Sequence, residues 1–517
     1  MSQPPQPPER SPDAQPLSQF SHSNSRPKRP LASRLPRWER RTVLVAAAAC
    51  AALLLVGSGV YALGGDKGDK KARTEAGDPK KPSASATPGR QKPTGPALPQ
   101  DINAGLAKGE AKAWYAKNEQ DLPGDNTLVH DLWFVDGLVI QTLYREVTAY
   151  KVADGTKAWS IPLPAAVCDT PVNPTPDGRV VVAYRDPGKS EGTCNHLQMI
   201  DLKKGAGGWR KKLDEKGSED STIIIHLAIT GNTVTVGRNM TADAYQVSDG
   251  KPLFKLGEEK TGGCHPNDVA GGPKLLVLDW CMGKKDVIGQ IKEVDPKSGK
   301  IRWRYQLKDR KTKKVMPWKF GKVYSVDPLV VSVHASDDQF NWSVIALDGK
   351  GKLRSSLNGG KFKFDVCAGA GDSGRGTQNC PGGVAGKNTF YLATKSADPE
   401  ALGPTRIVAF DLKSGKVKWA SVPEGKREYL PVAAEGSSLI AYVKGTSEVP
   451  GRIVRIGPKG GKPTTVLQFG KTAQPLEYEA MAGEYAYRGG RFFLASSLLS
   501  GEDTGEQARL LSYGNAS

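Results

Sequence analysis

The feature that most constrains this chain is a short hairpin, RIVAFDLKSGKVKW at Arg406–Trp419, that recurs along it. The apolar run Ile407–Phe410 reads as a strand buried on both faces. Asp411 can turn its carboxylate back onto turn amides, and Gly415 supplies the positive φ such a turn needs. Lys416–Trp419 then alternates polar and apolar, the period of a strand with one face covered. The turn glycine and the residue four places later align as Gly155 with Trp159, Gly205 with Trp209, Gly250 with Phe254, Gly299 with Trp303, Gly351 with Ser355, Gly415 with Trp419, and Gly461 with Thr465. The glycines lie 50, 45, 49, 52, 64 and 46 residues apart, the period of a four-stranded propeller blade rather than of a helical repeat.

Each interval divides alike: an apolar stretch, a Gly-containing turn, a second apolar strand, a loop, and the strand entering the next turn. In the first unit the strands are Leu128–Val135, Leu138–Tyr144 and Val147–Val152. In the third they are Thr222–Ile229, Thr233–Val236 and Ala242–Val247. In the last they are Glu479–Tyr487, Arg491–Leu499 and Gln507–Tyr513. That last unit lacks a fourth strand. Lys112–Asn118, ahead of the first unit, is an orphan strand with Trp114 at the repeated tryptophan position. Pairing the two closes the ring and removes two exposed edges. The expectation is an all-β chain folded as an eight-bladed β-propeller, with seven blades as the alternative.

The stretches Ala409–Trp419, Glu293–Trp303 and Ala149–Trp159 resemble the repeat of the PQQ-binding-like β-propeller family, and the resemblance covers about residues 112–517. It implies that the outer-strand aromatics, Trp114, Trp159, Trp209, Phe254, Trp303 and Trp419, dock between neighbouring blades. It also implies closure by strand exchange between the termini. Ser355 and Thr465 depart from the pattern, and the Gly205 unit lacks the usual Ser/Thr/Asp-Gly turn. Quinone enzymes of the family hold their cofactor with an adjacent cysteine pair, and no two cysteines are adjacent here. No cofactor, PQQ included, is therefore expected. Non-enzymatic relatives include an envelope scaffold for outer-membrane protein assembly and extracellular sensor domains.

Ahead of the repeats the composition changes three times. Residues 1–41, rich in Pro, Gln and Ser, carry 8 Lys/Arg against 3 Asp/Glu and read as a disordered basic cytoplasmic tail. Thr42–Leu63 runs 22 residues without a charge, long enough to cross a bilayer, with Trp38 and Tyr61 near its ends. Residues 42–64 are accordingly assigned to a single transmembrane helix, N-terminus inside. Residues 65–100 form a Pro/Gly/Lys linker. Residues 101–517, the propeller, hold 57 Lys/Arg against 47 Asp/Glu. That mild excess is a solvated surface rather than a nucleic-acid footprint.

Cys50 lies in the apolar stretch and six cysteines follow it. An even number beyond an anchor suggests an oxidising compartment and three disulfides. The repeat selects the pairing Cys168–Cys194, Cys264–Cys281 and Cys367–Cys380. The loop entering a blade and the loop between its second and third strands share one face of the ring, so all three bonds fall on that face. No metal site is expected, and His130, His196, His226, His265 and His334 read as scattered polar residues. The function expected is a non-catalytic, membrane-anchored binding or scaffold module of the cell envelope. It would be a monomer, with membrane lipid around the helix and an envelope protein or polymer on the disulfide-bearing face. An enzyme using the propeller channel, quinone-dependent or carbohydrate-active, and an extracellular sensor domain are the alternatives. Converging carboxylates in the channel would favour the enzyme.

Overall fold

The computed structural model describes residues 97–515 apart from 125–126, 189–191, 261, 310, 368–375, 379, 397–403, 481–482 and 503–504. The expected tail, transmembrane helix and most of the linker lie outside the described residues. Among those described, no helix is long and apolar enough to cross a membrane.

Eight antiparallel sheets follow one another. Blade 1 spans 127–162, blade 2 167–212, blade 3 226–256, blade 4 264–305, blade 5 318–356, blade 6 383–420 and blade 7 429–468. Blade 8 takes its inner strands from 485–514 and its outermost from Lys112–Lys117. There Trp114 pairs with Ser512 and Tyr115 with Leu511, so the first strand of the ring completes its last blade. Arg509 adds a side-chain link across this seam, its Nε 2.7 Å from Gln141 Oε1 in blade 1.

Position within a blade explains the strand sequences. Second strands such as Arg179–Tyr184 (RVVVAY) and Arg491–Ala495 (RFFLA) are covered by both neighbouring blades and are buried almost throughout. Outermost strands have one open face, so Ile301–Tyr305 alternates half-buried and exposed. The third hairpin turn uses an aspartate as its clasp. Asp411 Oδ1 accepts the amides of Lys413 at 3.1 Å and Ser414 at 2.8 Å, and Asp295 repeats this with Lys297 and Ser298. The Ser414 hydrogen bonds hold the Asp411 carboxyl below its ordinary pKa.

The outer-strand aromatics sit on the turn glycines of the next blade. A Cβ built on Gly155 would fall 2.5 Å from the Trp114 ring, one on Gly205 2.5 Å from Trp159, and one on Gly351 2.3 Å from Trp303. Trp209 meets Gly250 and Phe254 meets Gly299 in the same way. The seventh turn departs from the alignment, because Trp419 lies against Gly460 rather than Gly461. The indoles of Trp114, Trp209 and Trp419 donate to the carbonyls of Val152, Val247 and Pro458. Where the aromatic is missing the seam is filled otherwise. The Ser355 hydroxyl donates to the Leu412 carbonyl at 2.8 Å, and Phe364 packs on Phe410 from the entering loop. Beyond Thr465, Phe469 stacks on Tyr513 at 3.7 Å between centroids.

The last unit contains an element the β pattern does not anticipate. Gln474–Ala480 is helical, and blade 8 begins at Tyr485 rather than Glu479. Glu477 points inward from this helix and accepts the Tyr442 hydroxyl at 2.6 Å and the amides of Gly445 and Gly451 at 2.9 and 2.8 Å. Those bonds fix against blade 7 a segment whose Gln474, Leu476, Glu477, Glu479 and Ala480 already favour helix. Burial raises the Glu477 pKa.

Candidate functional site

Each blade starts with its innermost strand, so whatever those strands aim inward meets at the axis. In five blades the first hairpin shifts register, between Val129 and Leu132, Val167 and Asp169, Pro266 and Asp268, Phe320 and Val323, and Pro431 and Ala433. A bulge adds one residue and re-aims its side chain. Asp131, Asp169, Asp268 and Lys322 all sit at these bulges.

With His226 they form a charged cluster. His226 Nδ1 is 3.7 Å from Asp169 Oδ1, and its Nε2 is 4.0 Å from Asp268 Oδ2. Both separations exceed a hydrogen bond, so the contacts are ionic. Burial works against a charged ring, but Asp268 and Asp169 outweigh it and raise the His226 pKa to about 9. For both acids burial is the larger effect and lifts the pKa, with His226 pulling it back down. The carboxylates are also engaged by the chain. Asp169 accepts the Leu227 amide at 2.6 Å, Asp268 the Val269 amide at 2.7 Å, and Asp131 the Thr170 hydroxyl at 2.7 Å.

A segment of the Cys367–Cys380 loop lies across this cluster. The Thr377 amide donates to Asp268 Oδ2 at 3.0 Å, and its carbonyl accepts the Val323 amide at 2.8 Å. Gln378 exchanges two bonds with the Gly271 backbone, at 2.6 and 3.1 Å, and Lys322 Nζ reaches the Gly376 carbonyl at 3.1 Å. Gly376 comes so near that an added Cβ would stand 2.9 Å from the His226 ring. Strands from blades 4 and 5 thus hold a loop that belongs to blade 6.

Two cavities flank the inserted segment, and Asp131 and Gln378 line both. The small one, about 30 Å³, also touches His130 and His226. The large one, about 530 Å³, is walled by inner strands of blades 1, 5, 6, 7 and 8 and reaches Cys380 and Leu498. Phe134, Tyr324, Tyr485 and Arg488 contribute to its lining. The Tyr324 hydroxyl donates to the Val366 carbonyl at 2.6 Å, fixing the foot of the loop, and burial pushes this phenol's pKa up. Among the described residues no group of three His, Cys, Asp or Glu side chains is placed to hold a metal ion.

The cysteines are bonded as Cys168–Cys194, Cys264–Cys281 and Cys367–Cys380. All lie where the chain enters a blade or passes from its second to its third strand, at one end of the ring. The aromatics Trp114 to Trp419 lie far from the axis, in outermost strands against third-hairpin turns. Treating the histidines as scattered overlooked His226, which the ring brings between two acids from blades 2 and 4. A weak signal exists. Counted back from the pair that closes each first hairpin, Asp131, His226, Lys322 and Glu484 all stand four residues before Val135, Thr230, Val326 and Arg488.

Residues 105–275 match the family model described as outer membrane protein assembly factor BamB. The match spans blades 1 to 3, about a third of the chain. No curated protein matches the sequence. Among solved structures, BamB from Moraxella catarrhalis is 14% identical with a TM-score of 0.42, over 78% of this chain and 98% of its own. The quinohemoprotein alcohol dehydrogenase from Comamonas testosteroni is 13% identical with a TM-score of 0.42, over 79% of this chain and 77% of its own. A europium-containing methanol dehydrogenase is 10% identical with a TM-score of 0.44, over 77% of this chain and 92% of its own. In the present chain the segment Gly376–Gln378 lies among the inner strands, between the two cavities.

Proposed function

We propose that the protein is a non-catalytic binding or scaffold module of the cell envelope, anchored through Thr42–Leu63 with its propeller outside the cytoplasm. The observation that carries this reading is the inserted segment Gly376–Gln378. Carboxylates do converge on the axis, which on its own favours an enzyme. Asp169 and Asp268 are spent on His226, on backbone amides and on the loop, so they rigidify the ring's centre, and Asp131 is the member of the cluster that lines both cavities. The partial match to an assembly-factor family and the three disulfides, which suit an oxidising compartment, support the same reading. The partner, an envelope protein or polymer, meets the large cavity beside Cys380 and Leu498, lining residues at the disulfide-bearing end, where connections are presented by a regular scaffold.

Crosslinking from Leu498→Cys in the native membrane tests this. The expected result is capture of a discrete protein or polymer that a Lys204→Cys probe at the opposite end fails to capture. Turnover of a small substrate by the purified protein, abolished by Asp131→Asn, would replace this reading with an enzyme. The 530 Å³ cavity is the observation favouring that second reading, since it is large enough for a small ligand.

A further inference from the structure

The two ends of the ring differ in chemistry. One is built from the first and third hairpin turns, such as Asp136–Gly137 and Lys413–Gly415, and is polar. The other carries the disulfides. Every large apolar side chain that stands exposed among the described residues lies at or beside the connections of this second end. Ile223 and Ile224 precede blade 3, Val422 precedes blade 7, and Val449 and Leu498 lie between the second and third strands of blades 7 and 8. Gathering such side chains on one face marks an interaction surface.

On blades 4 and 5 the apolar tips are mixed with lysine. Met282 and Phe340 are 65% and 84% exposed. Lys284 and Lys285 follow Met282, Lys313 and Lys314 precede Val315, and all four lysines are exposed. The three loops form one rim. The Ser336 hydroxyl donates to the Val287 carbonyl and its amide to the Pro317 carbonyl, while Lys319 Nζ stands 5.0 Å above the Trp280 ring. Two rim acids cap local turns, Asp338 at the Phe340 amide and Asp309 at the Lys311 and Thr312 amides. With Asp286 and Asp337 these make four acids against Lys284, Lys285, Lys308, Lys311, Lys313, Lys314 and Lys319, so lysine is in excess. The chain also enters the ring at this end, where the Leu98 amide donates to Glu506 at 3.1 Å in the connection between the second and third strands of blade 8.

We infer that this rim docks on an anionic lipid surface, with Phe340 and Met282 entering the interface and the lysines over headgroup phosphates. A bilayer satisfies both kinds of side chain at once, acyl chains taking the tips and phosphates the ammonium groups. A soluble polyanion satisfies the lysines alone and leaves the tips in water. The entry of the chain at the same end keeps the rim within reach of a membrane holding Thr42–Leu63. The inference rests on the anchored reading above and adds an orientation to it, with the rim down and the large cavity beside it.

The test places an environment-sensitive fluorophore on Phe340→Cys in the full chain carrying Cys50→Ala, reconstituted in nanodiscs of neutral or of phosphatidylglycerol-containing lipid. The expected result is a blue shift and protection from iodide quenching in anionic nanodiscs only, with a Lys204→Cys label quenched in both. Combining Lys284→Glu, Lys285→Glu, Lys313→Glu and Lys314→Glu removes the protection while the thermal melt stays put. A label at 340 that remains quenchable in both lipids, or that is protected only by an added soluble polyanion, overturns the inference. Failure of the anchored reading is distinct, because the chain then does not co-purify with nanodiscs at all.

Discussion

Trp114 rests on Gly155, and an added Cβ would fall 2.5 Å from the ring at a backbone φ of +76°. This contact joins the outermost strand of the last blade to the first, so the earliest strand of the propeller, sitting in its last blade, packs on the third hairpin turn of blade 1. Gly155→Ala combines left-handed strain with a steric clash, and should cost roughly 2–4 kcal/mol. Gly461→Ala, at φ +89° with nothing within 4 Å, should cost only about 1–2 kcal/mol. Urea denaturation of both variants measures the difference, and equal losses would show that the ring contact is energetically unimportant.

Removing residues 1–117 strips Lys112–Lys117 from the strand Ala508–Gly514 and leaves it as an edge with unpaired backbone groups. The truncated chain should aggregate, whereas one beginning at residue 97 should elute as a monomer in size-exclusion chromatography. Trp114→Ala in the full chain should cost about 3–5 kcal/mol, the scale of a buried aromatic truncation.

His226 ties stability to pH. Its folded pKa of about 9 lies above the ordinary histidine value, so its contribution is fully present below about pH 6.5 and is lost as pH rises through about 9. The swing is on the order of 3 kcal/mol. His226→Gln should flatten the wild-type decline between pH 7 and 9 and should destabilise most near neutrality. There it leaves the acids Asp169 and Asp268 buried without their cation. Because burial raises both carboxyl pKa values, the variant should recover stability as pH falls. Chemical denaturation at a series of pH values decides, and a variant parallel to wild type would sink the assignment.

Cys367 and Cys380 are 13 residues apart, and opening so short a loop should cost about 2–4 kcal/mol. Replacing both by serine frees the inserted segment locally before the ring unfolds. Hydrogen exchange should accelerate at the Thr377 and Val323 amides, which bond across the loop, and stay slow at Val181 in blade 2. Uniform acceleration would mean that the loop is merely part of the global fold.

Much of the ring was legible in the residues. Period, turn glycines and apolar second strands specify blades locally, and the orphan strand around Trp114 specifies closure, because a missing strand and a spare one at opposite ends have one economical solution. The helix Gln474–Ala480 was missed although Gln, Leu, Glu and Ala favour it locally, because a seven-residue helix is marginal alone and is held by Glu477 reaching amides of blade 7. Nor was the replacement of Gly461 by Gly460 against Trp419, because two adjacent glycines satisfy the same local turn and only the neighbouring blade chooses between them.

The sequence by itself determined the repeat, its period and the spare strand that completes the last blade, all of which depend on near-neighbour backbone and burial preferences, and the structure decided for eight sheets over seven. Only the tertiary structure decided what stands at the axis. Asp169, His226, Asp268 and Thr377 come from four different blades or loops, separated by 42 to 208 residues. Their meeting follows from the ring bringing distant first strands and one loop to a common axis, and the local trace it leaves is the weak one at Asp131, His226, Lys322 and Glu484, four residues before the pair that closes each first hairpin.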